Sequence, residues 1–113
     1  MNENWIIYNK LVRDKVPKII ESTGKLFEYR TLELNEDYRV ILSLKMDEEI
    51  GEYLDSPTKD ERIEELADVL EVFQAMLDFE GYDLETINKI REEKKITKGG
   101  FENRNFLVKV SKN

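Results

Sequence analysis

The chain contains no cysteine and no histidine. Without cysteine there is no disulfide, no thiolate nucleophile and no zinc–thiolate site. Without histidine, the commonest general base and the commonest transition-metal ligand are both missing. Any catalysis must rest on carboxylates, lysine, arginine, hydroxyls or a hard cation. Positive charge is the minority sign: 18 Lys and Arg stand against 25 Asp and Glu, a net charge of −7, which argues against non-specific binding to nucleic acid. No apolar run approaches the length that spans a bilayer. The opening MNENWIIYNK has neither a basic leader nor a long apolar segment. No signal peptide is expected, and a cytoplasmic setting is the default. Repeats, low-complexity tracts and linkers are missing too, so residues 1–113 read as a single domain.

What is abundant is charge in helical patterns. Charged residues make up 38% and hydrophobic residues 40%, a soluble, helix-rich composition. From about Arg13 to Ser22, Val16, Ile19 and Ile20 recur at helical spacing, with Gly24 as the stop. A longer helix is expected from Asn35, its cap, to about Leu54. Pro57 breaks it, because proline disfavours helical geometry at Ser56 and suits the first turn of a new helix. Thr58 and Glu61 offer an alternative start one residue later, a T-x-x-E capping box. The third helix runs to about Glu80 and ends at Gly81. Asp83 caps a fourth, which reaches about Lys95 before Gly99-Gly100. WIIYN reads as an extended arm or edge strand, LFEYRTLEL as extended or loop, and NFLVKV as a short strand. The expected fold is all-α: a four-helix bundle, with short terminal strands at most. The third helix carries two apolar stripes: Ile63, Leu66, Leu70, Phe73 and Leu77, and Val69, Val72, Met76 and Phe79. A helix this greasy is central or covered by a second subunit, so a homodimer or homotetramer is expected.

Two acidic motifs flank the break, EEIGE and EELAD. Glu49 and Glu52, and Glu65 and Asp68, are i,i+3 pairs that project from one face of a helix. The midpoint of positions 49 and 68 is 58.5, and so is that of 52 and 65; both fall inside SPTKDE, where the turn belongs. An antiparallel hairpin would bring these four carboxylates together, with Glu48 beside them. Spacing alone leaves two readings open: the solvated faces of two helices, or a cation site. Repulsion favours the second, since like charges on adjacent turns cost about 0.2–0.5 kcal/mol per exposed pair and more when desolvated. All-oxygen ligands suit Mg²⁺ or Mn²⁺, or Ca²⁺ in a larger cage. Gly51 in mid-helix costs about 1 kcal/mol relative to Ala, and marks close packing or a backbone approached by a ligand.

These motifs resemble a known family. EEIGE, twelve intervening residues and ELAD match the E-E-x-x-E-x(12–28)-E-x-x-D signature of the MazG-like all-alpha nucleoside triphosphate pyrophosphohydrolases. YNKLVRDKVPKII (8–20), KMDEE (45–49) and GGFENRNFLVKV (99–110) are similar to elements of its phosphoribosyl-ATP pyrophosphohydrolase-like subfamily. The resemblance spans Tyr8 to Val110. It implies an oligomeric helical bundle that binds Mg²⁺ and splits a nucleotide, often a non-standard one, into a monophosphate and pyrophosphate. It also implies Glu49, Glu52, Glu65 and Asp68 as metal ligands, and Glu48 as a further ligand or as the residue orienting the attacking water. Catalysis would then centre on Glu48 and Glu49.

A triphosphate also needs cations from the protein. Lys10, Arg13, Lys15, Lys45, Lys98 and Arg104 are candidates, together with the amides of Gly99-Gly100. For each basic residue taken singly, solvated surface is the stronger reading. Trp5, Tyr8, Phe101 and Phe106 are candidates for stacking on a base, although core packing is the stronger expectation for each. Two alternatives stand beside a nucleoside triphosphate pyrophosphohydrolase: phosphoribosyl-ATP hydrolysis in histidine biosynthesis, and a non-catalytic acidic helical interaction module.

Overall fold

A computed structural model describes residues 4–113, leaving out the side chain of Glu36. The first three residues of MNENWIIYNK, and that part of the leader reading, lie outside the described residues. The fold is all-α, as expected: the described residues form four helices, α1 (Val16–Ser22), α2 (Glu36–Asp55), α3 (Lys59–Glu80) and α4 (Leu84–Lys98). The chain divides into two compact units, one ending at Gly81 and one running from Tyr82 to Asn113. No helix among the described residues is long and apolar enough to cross a membrane.

Caps fix the helix ends. The Asn35 side chain accepts from the amides of Asp37 and Tyr38 at 3.0 and 3.3 Å. Ser56 is extended, as a residue before proline must be, and the Arg62 guanidinium donates to its carbonyl at 3.3 Å. Of the two starts open for α3, the capping box is realised: Thr58 Oγ1 accepts from the Glu61 amide at 3.2 Å. Gly81 ends α3 at φ 79°, a left-handed conformation in which a Cβ would be strained.

Three expectations need correction. First, α1 begins at Val16 rather than near Arg13, with Pro17 in its first turn. A start at Arg13 would put the proline ring against the carbonyl of Arg13 in the helix interior. Second, α4 continues to Lys98, beyond Lys95. Third, NFLVKV forms no strand, and of the two readings of WIIYN the arm holds rather than the edge strand; no strand occurs among the described residues. β-branched side chains favour an extended chain, but a strand also needs a neighbour's backbone ladder, and these segments have none.

In the first unit, α2 and α3 pack as an antiparallel hairpin. Tyr38, near the start of α2, meets Phe79, near the end of α3, with ring centroids 5.6 Å apart. Leu42, Val72 and Leu77 are its buried apolar residues. Val72 and Phe79 are therefore covered within the chain by α2. The other stripe of α3 is open at its N-terminal end, where Ile63 is 57% and Leu70 62% exposed. The close-packing reading of Gly51 fails in this chain, because a Cβ built there meets nothing within 4 Å.

Candidate metal centre

The hairpin register sets the site. Glu49 and Glu52 come from the C-terminal half of α2, Glu65 and Asp68 from the N-terminal half of α3. Each offers a carboxylate oxygen, and the four oxygens lie within 4.8 Å of one another. Glu49 is buried, Glu65 and Asp68 are half-buried, and Glu52 is exposed. Glu49 Oε2 and Glu65 Oε2 are both buried without a hydrogen-bond partner. A buried carboxylate oxygen without a partner costs roughly 1–3 kcal/mol or more, so two of them in a cluster of four carboxylates make a costly arrangement for a surface to keep. A small, hard dication removes that cost, since it needs several oxygens and no nitrogen or sulfur. The donor set thus fits such an ion.

Cations surround the cluster. Lys45, one turn before the acidic motif, lies 3.2 Å from Glu48 and 3.3 Å from Glu49. Lys10 donates to Glu48 Oε1 at 2.9 Å, and Arg13 to Asp68 Oδ1 at 2.6 Å. These contacts divide the two neighbouring glutamates. Burial, reinforced by the nearby Glu52, pushes the Glu49 carboxyl above its ordinary value, and Lys45 only partly offsets this. Burial also works on Glu48, but there the hydrogen bonds from Lys10 and Lys45 win and hold the carboxyl below the usual range. The hydrogen bond to Glu48 in turn raises Lys10.

Of the six basic residues singled out, Lys10, Arg13 and Lys45 reach the cluster. Lys15 caps α1 with its backbone and makes no ion pair among the described residues. Lys98 and Arg104 belong to the second unit, where residues 98–105 line a hollow of about 390 Å³. Arg104 sits there at φ 57°, and Asn9, beside Lys10, at φ 46°. These two are the non-glycine residues with positive φ among those described, and both fall in the segments that resemble the family outside the acidic motif. The aromatic residues do not pack into a core: Trp5, Tyr8, Phe101 and Phe106 are all exposed. They are short of partners because the segments that carry them lie outside the helices.

Sequence reasoning missed the present role of Lys10, Arg13 and Lys45, which is to neutralise the carboxylates rather than to stand free. The Lys45 pairs were readable as i,i+3 and i,i+4 contacts on a helix. The pairs of Lys10 and Arg13 span 38 and 55 residues and left no local signal.

Comparison with known proteins adds little to this geometry. No family model matches the chain. It is similar to an uncharacterized protein of Mycolicibacterium smegmatis, 36% identical over 55 residues, which are 49% of this chain and 55% of that relative. The chain thus spans about half the length of the relative it matches. No solved structure matches.

Proposed function

We propose that the protein is a Mg²⁺-dependent nucleotide pyrophosphohydrolase, acting on a nucleoside triphosphate and releasing a monophosphate and pyrophosphate. The observation that carries the reading is Glu49: buried, with an unpartnered oxygen, inside a set of four convergent carboxylates. The motif resemblance adds the reaction class. Glu49, Glu52, Glu65 and Asp68 would hold the ion, with Mn²⁺ as an alternative to Mg²⁺. When bound, it would supply charge neutralisation at the phosphates and a more acidic water. Glu48, kept ionised by Lys10 and Lys45, is suited to accept a hydrogen bond from the attacking water and to orient it. A homodimer or homotetramer is part of the same proposal, supported by the open stripe of α3.

The test is a panel of nucleoside triphosphates, with phosphoribosyl-ATP included, incubated with Mg²⁺ and the products identified. Release of pyrophosphate and a monophosphate is expected. Glu49→Gln keeps the shape and removes the charge. Changes that merely reorient metal ligands cost about 10–100-fold, so loss of a ligand should lower turnover by about 100-fold or more. Full Mg²⁺-dependent activity in this variant would end the assignment.

A further inference from the structure

Every cation that reaches the cluster is already paired. Lys45 holds Glu48 and Glu49, Lys10 holds Glu48, and Arg13 holds Asp68. Five carboxylates, including Glu48, face three cations, which leaves two negative charges: the charge of one divalent ion. The three cations are not held alike. Lys45 is 14% exposed and shares a helix with its partners. Arg13 is 57% exposed and precedes the first helical residue, on an N-terminal arm without regular structure. Its partner, Asp68, is one of the four proposed ligands. A guanidinium and a dication compete for that carboxylate, and no helical hydrogen-bond ladder holds the arm in place. A guanidinium that leaves Asp68 also has the planar fork that pairs with phosphate oxygens.

We propose that Arg13 is a displaceable counter-ion: it caps Asp68 in the metal-free protein, leaves when a divalent cation takes that carboxylate, and then binds the phosphates of the substrate. The inference rests on reading the cluster as a metal centre. It favours an order, with metal first and nucleotide second, because the nitrogen that holds Asp68 must be released before the whole fork can face a phosphate. Arg13 is then a competitor of the metal at Asp68 and a binding residue for the substrate.

Trp5, the one tryptophan, lies on the same arm and is 48% exposed, so its fluorescence reports on the arm. The experiment titrates Mg²⁺ alone into the parent chain, Arg13→Ala and Lys10→Ala, following the binding heat and the Trp5 emission. In the parent, both signals should share one midpoint. Arg13→Ala should bind Mg²⁺ about fivefold more tightly, the upper end of what an exposed ion pair contributes, and lose the metal-dependent change in emission. With Mg²⁺ saturating, it should bind inorganic triphosphate about tenfold more weakly, as expected for a lost charge-assisted hydrogen bond. Lys10→Ala removes the same charge from the same arm but from Glu48, and should keep its Mg²⁺ affinity within about twofold. Equal tightening in both variants would reduce the effect to a general field and overturn the proposal. So would a silent Trp5 in a parent chain that binds Mg²⁺. A parent chain that takes up no Mg²⁺ overturns the metal reading and this inference together, and the missing heat tells that result from the other two.

Discussion

Glu48 and Glu49 are neighbours with opposite electrostatics, and the contrast has a measurable sign. The folded state binds the Glu49 proton more tightly than the unfolded chain, where a glutamate titrates near its ordinary 4.5. From 4.5 up to the raised value the folded state holds more protons, so this group makes stability fall as pH rises through that window. Above the window the whole cost of ionising a buried carboxylate remains. Metal-free Glu49→Gln should therefore be more stable than the parent at neutral pH, with the advantage shrinking as pH falls towards 4.5. Glu48, held below its ordinary value, has the opposite sign: its contribution is present above 4.5 and is lost as pH falls through the depressed value. Chemical unfolding at a series of pH values in a chelator, with both Gln variants, checks the pair. A stability profile for Glu49→Gln that is parallel to the parent's would contradict the assignment of cost to Glu49.

The α2–α3 hairpin was the most legible element. Its signals are local and mutually consistent: Asn35 as a cap, Pro57 as a breaker, Thr58 as the next cap, and two acidic pairs with one midpoint. Tyr38 and Phe79 share that midpoint of 58.5, which makes the aromatic contact an independent check on the register. The start of α1 was misread because the apolar spacing from Arg13 ignores what Pro17 forbids. NFLVKV was misread as a strand because β-propensity says nothing about whether a partner strand exists. The arm's two ion pairs were illegible for a related reason: contact between distant segments is decided by packing, not by spacing. Gly51 marks a cost that nothing in the chain repays. Gly51→Ala should raise metal-free stability by about 0.5–1 kcal/mol, read as a higher urea midpoint at unchanged slope.

Burial across the described residues is thin. The buried apolar side chains among the described residues are Leu42, Val72 and Leu77, while Leu44, Ile63, Leu70 and Ile96 are more than half exposed. A chain of this length ordinarily removes well over half of its unfolded surface from water. The sequence pattern correctly marked α3 as apolar on two sides, but could not say which side α2 would take. It takes the one with Val72 and Phe79, so the proposed subunit contact moves to Ile63, Leu66 and Leu70. Light scattering at micromolar concentration should give a mass of at least two chains, and Leu70→Glu should lower it to one. A monomeric parent would leave that stripe in water and remove the oligomer from the proposal.

The four carboxylates and the turn between them occupy one uninterrupted stretch, from Glu49 to Asp68. Inheritance can therefore copy, duplicate or transplant the centre as a block, with its register built in. The arm that carries Lys10 and Arg13 lies before that block, and the hollow with Lys98 and Arg104 after it. Under the proposed reading, the four metal ligands travel in the block, while the residues that tune them, Lys45 and Glu48 just before it and Lys10 and Arg13 on the arm, do not.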